Sequence, residues 1–237
     1  MDTTTIVYAG SELELFRAAT RWKEYWSACL RPYVSGRVLE VGAGIGGTTG
    51  VLATGREDEW VCLEPDPALA SRLRAAAEAG RLPRTCRVRT GTLTDVAASD
   101  RFDTILYIDV LEHIEDDRAE LARAAAHLAP GGHLVVLAPA HSFLFTPFDQ
   151  AIGHFRRYDR ASLLGLEPPG LRVAAAFYLD SVGMLASLGN RLLLRSGMPT
   201  EGQIRLWDRA MVPLSRRLDP LLRRSVGKTV VTVWEAP

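Results

Sequence analysis

Val38-Leu39-Glu40-Val41-Gly42-Ala43-Gly44-Ile45-Gly46-Gly47 is the stretch on which the fold turns. Arg37 to Val41 is a short apolar run of β type. Glycines then interrupt it, and Thr48 to Ala53 opens a helix. A glycine cluster gains meaning from this strand-turn-helix setting. Glycine tolerates positive φ and lets a ligand approach the backbone closely. Gly42, Gly44 and Gly47 also satisfy the dinucleotide pattern G-x-G-x-x-G. The glycines alone therefore leave a nicotinamide dinucleotide, another nucleotide-like ligand and a plain tight turn all open.

Working outward, Trp60 to Leu63 is a second apolar run that ends at Glu64, and Pro65-Asp66-Pro67 starts a helix running to about Glu78. Cys86 to Thr90 reads as a third strand and Phe102 to Ile108 as a fourth. Asp116 to Leu128 is helical. Pro130-Gly131-Gly132 is a turn leading into a fifth strand, His133 to Ala138. Short apolar strands alternating with helices imply a parallel sheet covered on both faces. Right-handed crossovers then make it a doubly wound α/β sheet. Upstream, residues 11–31 read as an amphipathic helix carrying Phe16, Trp22, Tyr25, Trp26 and Leu30, closed by Pro32. Downstream, Leu171 to Leu179 and Thr229 to Trp234 read as strands. Ser181 to Leu194 and Ile204 to Leu222 read as a helical insertion before the last strand. The division expected is a helical lid over 1–35, a ligand-binding core over 36–140, and a substrate-side loop, insertion and final strands over 141–237.

With 237 residues, 47% of them hydrophobic, the chain can bury one substantial core. No apolar run reaches the roughly 18 residues of a membrane span, and Met1 to Gly10 lacks the pattern of a secretory leader, so a cytoplasmic protein is expected. Cys29, Cys62 and Cys86 have no metal-ligand spacing and read as reduced, packed thiols; no metal is expected. The zero net charge argues against a nucleic-acid binder. Lys23 and Lys228 are the only lysines among 28 basic residues. That pattern reads as coding bias, so single arginines carry no argument.

Two carboxylates narrow the ligand. Glu64 ends the second strand, where an acidic residue reaches ribose hydroxyls in doubly wound folds. Glu40 lies inside an apolar strand and is costly there unless paired. Backbone amides, a cationic ligand group or both can satisfy it, whereas a pyrophosphate would be repelled.

With these residues in place, Val38 to Gly46 resembles the first motif of class I S-adenosylmethionine-dependent methyltransferases. Leu63-Glu64-Pro65-Asp66 is similar to their acidic strand end. Phe102-Asp103 through Ile108-Asp109-Val110-Leu111-Glu112-His113-Ile114 is similar to their fourth strand and following loop, and Leu128-Ala129-Pro130-Gly131-Gly132-His133-Leu134 to the turn into their fifth. The resemblance spans about residues 36–140 and is closest to small-molecule and lipid-quinone methyltransferases. It implies a mostly parallel, seven-stranded Rossmann-like sheet that binds S-adenosyl-L-methionine. Glu40 and the backbone of Gly42, Ala43, Gly44 and Gly46 would hold the methionine moiety. Glu64 would take the ribose, and Pro65 or Asp66 would border the adenine. Asp109, Val110 and His113 would lie near the sulfonium. In the family an acidic residue often follows the third strand; here Thr92 and Leu93 stand in its place, with their backbone left to serve.

Ligands of open α/β sheets bind beyond the carboxyl ends of strands. His113, His141, Asp149 and the run Gly153 to Tyr158 fall there. His154, His113 and Tyr158 are the candidates for catalysis. Tyr8, His141, His154 and Arg157 are those for substrate, and an Asp149–Arg157 ion pair is the plainer reading of that loop. His127 and His133 are assigned to structure. The expected activity is methyl transfer to an O or N atom of a small molecule by a monomer or homodimer. The alternatives are a lipid or membrane-associated acceptor, an NAD-dependent oxidoreductase, and a non-catalytic cofactor-binding partner protein. Peripheral membrane contact through the helical insertion ranks below a core-packing helix pair.

Overall fold

The computed structural model describes residues 16–189 and 200–237. Seven strands form one sheet: β1 (Arg37–Val41), β2 (Glu59–Glu64), β3 (Cys86–Thr90), β4 (Phe102–Ile108), β5 (Leu128–Pro139), β6 (Arg172–Leu179) and β7 (Thr229–Glu235). Their order is β3-β2-β1-β4-β5-β7-β6. β1 to β5 are parallel, and β7 is antiparallel to both of its neighbours. The strands expected from sequence are all present. Pattern alone did not show that β7 inserts between β5 and β6. The Pro130-Gly131-Gly132 turn is absorbed into β5.

The helices are α1 (Thr20–Leu30), α2 (Thr49–Leu52), α3 (Pro67–Glu78), α4 (Asp117–Ala126), α5 (Pro147–Ala151), α6 (Arg160–Leu164), α7 (Ser181–Gly189), α8 (Glu201–Leu206) and α9 (Val212–Leu221), with a π-type turn at Trp207–Met211 joining the last two. Alternation along the strands builds two cores. Leu39, Ile105, Tyr107, Leu134 and Val136 face α4 and α6. Val38, Trp60, Leu106, Val135 and Val231 face α1, α3 and the insertion. Such alternation in continuously apolar strands marks a sheet buried on both sides.

Two buried aspartates tie α1 to the insertion. Asp208 accepts the amides of Arg21 (3.3 Å) and Trp22 (2.9 Å), so it caps α1 from 186 residues away. Ala19, at the N-cap itself, offers no side-chain acceptor. Asp219 accepts from Tyr25 Oη, the amides of Asp180 and Ser181, and Ser181 Oγ. The insertion is thus only partly the core-packing pair expected. Ile204, Trp207 and Val212 are buried, whereas Leu206, Leu214, Leu218, Leu221 and Leu222 are exposed. The inner face of α9 is held by Ser215 and Asp219 rather than by its leucines. Of the cysteines, Cys62 and Cys86 are buried and Cys29 is half-buried, all free. Among the described residues no helix is long and apolar enough to cross a membrane.

Candidate active site

β1 to β6 run in one direction, so their carboxyl ends share an edge of the sheet. Asp109 and Asp180, which follow β4 and β6, and His141, just past β5, all have positive φ (53°, 66° and 67°). Strain of this kind in non-glycine residues collects at functional edges. A cleft of about 2060 Å³ opens there. Ligand pockets span roughly 300–1,000 Å³, so a cofactor and an acceptor fit together.

The glycine turn forms the cleft wall. Gly42 has φ of 69°, and a Cβ there would meet Val110 Cγ2 at 2.7 Å. A Cβ at Gly46 (φ 84°) would meet Leu73 Cδ1 at 2.7 Å. Val110 and Leu73 therefore demand glycine through packing, before any ligand is considered. The amides of Gly42 and Ala43 bond Leu63 O, and that of Gly46 bonds Ala43 O. Gly44 donates to Glu64 Oε2 at 2.7 Å, while Glu64 Oε1 accepts Asp66 N at 2.9 Å. Glu64 is thus buried at the cleft wall, clasping the turn to the start of α3. Burial raises its pKa against the pull of those two amides.

Glu40 takes a different place from the one expected. It is sealed on the opposite side of β1, where Oε2 accepts Thr49 Oγ1 (2.6 Å) and Trp60 Nε1 (2.7 Å). It does not line the cleft. Strand alternation explains this: residue 40 shares its face with Trp60 and Cys62, behind the turn. Glu40 anchors α2 through Thr49 and, lying off the cleft, does not discriminate against a pyrophosphate there. Burial pushes its pKa from 4.5 up to about 7, with Thr49 and Trp60 pulling the other way. A carboxyl whose pKa rises on folding keeps its proton while the unfolded chain loses its own. Relative to Glu40→Gln, the natural protein should therefore lose stability as pH climbs from 4.5 to about 7 and level off above. The difference is up to about 3 kcal/mol. Urea titrations of both proteins across that range check it, and parallel curves would refute it.

The other candidates divide. Ala43, Pro65, Leu93, Asp109, Val110, His113, His154 and Arg157 line the cleft. Asp66 is the N-cap of α3, accepting from Ala68 N and Leu69 N, and does not line the cleft. Thr92 lines it, but Asp95 caps its amide at 2.8 Å, so of the two backbone positions expected there the Thr92 amide is already used. Tyr158 is buried with its hydroxyl on Asp117 Oδ2 (2.8 Å), a tether away from the cleft rather than a catalytic group. His141 also lies off the cleft, bonded to Gly227 O and stacked between Phe143 and Tyr178, which removes it from the substrate side. Tyr8 lies outside the described residues.

At the far wall, Asp149 is the hub. It accepts Arg157 Nε (2.8 Å) and Nη2 (2.9 Å), the amide and hydroxyl of Thr146, and His154 Nδ1 (3.0 Å). These donors outweigh burial and hold its carboxyl far below the ordinary range. The Asp149–Arg157 pair is present, and His154 shares the same carboxylate. His154 Nε2 faces Glu112 Oε1 at 3.8 Å, and its ring meets that of His113 edge-on. Glu112 is fully buried and neither oxygen has a hydrogen-bond partner among the described residues. Burial, then Asp109, pushes its pKa well above the ordinary range. Burial and His154 lower His113 to about 4, so it is neutral at physiological pH. Asp109 opens onto the cleft, yet desolvation by the protein around it raises its pKa, against His154, Lys228 and Arg157.

Sequence reasoning gave no role to Lys23 or Lys228, yet both lysines of the chain reach the cleft. Lys228 Nζ stands 3.8 Å over the Trp207 ring and 3.4 Å from Asp180. Lys23 Nζ would touch a Cβ on Gly47 at 3.5 Å and donates a long bond (3.4 Å) to Arg17 O. Their scarcity in an arginine-rich chain was the available signal. Trp22 and Trp26 are buried in the core and also edge the cleft.

Comparison with known proteins settles the family. Residues 39–134 match the family described as "Methyltransferase domain". Trans-aconitate 2-methyltransferase of Deinococcus radiodurans is 31% identical over 201 residues, covering 80% of this chain and 74% of that protein. The chain belongs to the S-adenosylmethionine-dependent methyltransferases. A ubiquinone biosynthesis O-methyltransferase of Bradyrhizobium is 32% identical over 103 residues, 42% of this chain and 38% of that one. N-methyltransferase NodS of Bradyrhizobium japonicum, solved with S-adenosyl-L-homocysteine, has the same fold (TM-score 0.58, 15% identity, 93% and 88% covered). The methyltransferase's cofactor is S-adenosyl-L-methionine, and the cleft residues fit it. Glu64 keeps two of its four acceptor sites for a diol, Pro65 and Leu93 are apolar neighbours for a base, and Lys23 places an ammonium beside the turn with no carboxylate partner among the described residues. The oxidoreductase alternative, which rested on the glycines and Glu64, is not favoured.

Proposed function

We propose that this methyltransferase transfers its methyl group to an O or N atom of a small-molecule acceptor, with His154 as general base. The observation carrying the proposal is the Asp149–His154 contact at the cleft wall. A carboxylate held ionised by Arg157 only accepts hydrogen bonds. His154 must therefore present its proton at Nδ1 to Asp149 and keep the lone pair on Nε2. The name of the Deinococcus relative, a methyltransferase of trans-aconitate, supports a small acceptor.

The bound cofactor supplies a methyl group already activated on positively charged sulfur. Glu64 and the glycine turn orient it, and α1, through Trp22, Trp26 and Lys23, serves as the lid that excludes water. Nε2 of His154 takes the proton of the acceptor's O–H or N–H. S-adenosyl-L-methionine would supply the methyl carbon to the acceptor's freed pair, with its sulfur keeping the carbon–sulfur pair. Alignment supplies roughly 7–11 kcal/mol of such a barrier. An acceptor found by screening extract fractions with labelled methyl groups gives the test. His154→Ala should lower kcat about 10²-fold while affinity for S-adenosyl-L-homocysteine stays unchanged. Full turnover in that variant ends the assignment of His154.

A further inference from the structure

The exposed apolar side chains are concentrated on the helical cap. Of ten large hydrophobic residues exposed among the described ones, seven fall between Leu185 and Val226. On α9, Leu214, Leu218 and Leu221 recur at helical spacing and so share one face, which Leu222 at the C-cap extends. Val212, Ser215 and Asp219 occupy the inner face. Leu221 is 78% exposed, more than any other large hydrophobic residue among those described. Leu185 stands on α7, which packs against α9, and Leu206 is both exposed and part of the cleft rim. The apolar face thus reaches the mouth of the active site.

Its charge is one-sided. From Arg209 to Lys228 there are six basic residues and a single acid, Asp219, which is fully buried. Arg224 lies over the Phe177 ring and Lys228 pairs with Asp180. Arg209, Arg216, Arg217 and Arg223 are exposed and have no carboxylate partner among the described residues. In an arginine-rich chain single arginines carry no argument. The signal is the absence of any exposed acid over this stretch, in a protein whose net charge is zero. A second copy of the chain would oppose arginine to arginine. Leucines presented among unpaired cations instead match the boundary of an anionic bilayer, which takes the apolar face and neutralises its flanks.

We propose that α9 and its flanking turns dock this methyltransferase on anionic lipid surfaces, with the cleft rim at Leu206 beside the contact. The inference is independent of the catalytic role given to His154. The test is flotation of the full chain with vesicles of equal phosphatidylglycerol and phosphatidylcholine, against vesicles of phosphatidylcholine alone. Binding is expected only to the anionic vesicles and should weaken as salt is raised. Leu218→Glu with Leu221→Glu, and separately Arg216→Gln with Arg217→Gln, should each reduce it about tenfold or more. All four positions are exposed, and unchanged affinity for S-adenosyl-L-homocysteine reports that each variant is folded. Failure to float with anionic vesicles overturns the proposal, as does equal flotation by the variants. It is also overturned by a dimer in sedimentation velocity that the leucine variant disperses, because a second copy then covers the face.

Discussion

Glu64→Ala is expected to weaken S-adenosyl-L-homocysteine binding about 10³-fold, a loss of about 4 kcal/mol. Glu64 acts twice. Its oxygens hold Gly44 N and Asp66 N, which sets the turn against α3. Its remaining acceptor sites meet the cofactor's diol in the proposed pose. A hydrogen bond to a charged group is worth roughly 1.5–3 kcal/mol, so two lost to the ligand come to about 3–6 kcal/mol, a range that brackets the expected figure. Calorimetric titration measures the effect. Titrating 5′-methylthioadenosine, which lacks the amino-acid arm, separates the two ends of the site. Glu64→Ala should weaken both ligands. Lys23→Ala should weaken only the homocysteine derivative, because its ammonium lies against Gly47 at the end of the turn. A loss below about tenfold for Glu64→Ala would remove the ribose assignment.

The second large effect is on stability. Asp219→Ala should lower the unfolding free energy by roughly 3–5 kcal/mol. The carboxylate is fully buried and receives four donors: Tyr25 Oη (2.7 Å), Asp180 N (2.7 Å), Ser181 N (3.1 Å) and Ser181 Oγ (2.5 Å). Alanine leaves all four unsatisfied in a dry interior, and the penalty of orphaned donors dominates such substitutions. For a chain of this size the melting temperature should fall by about 6–20 °C. Asp219→Asn preserves shape and one acceptor oxygen, so it should lose less. Equal losses in the two variants would show that cavity formation, not hydrogen bonding, sets the cost. Because Tyr25 lies on α1, the alanine variant should also loosen that helix, which proteolysis near Trp22 reads directly.

Local pattern carried the sheet. Each of the seven strands is a run of β-type residues, and glycine or proline punctuation marks most of their ends. The acidic tip of β2 was legible because residue type and position coincide at Glu64. Parity along β1 was the information that went unused. Glu40 lies an odd number of residues from Val41, so it must face the side of the sheet that carries Trp60. His154 and Arg157 were legible as candidates, but their shared carboxylate was not, since Asp149 reaches them through the fold of α5 and the following loop. Tyr158 and His141 were drawn in by proximity in sequence to that loop. Both turn inward to partners more than 40 residues away.

The order of elements, the ligand-bearing edge and the cofactor class are written in the chain as periodicity and motif. Both are local properties, set by backbone geometry within a few residues. Three matters were settled only by tertiary structure: the partners that each buried carboxylate meets, the capping of α1 by Asp208, and the exposure of the α9 leucines. Each depends on which surfaces meet across long sequence separations. A leucine stripe has the same spacing whether it is covered or bare, and a buried acid has the same letter whichever donors surround it.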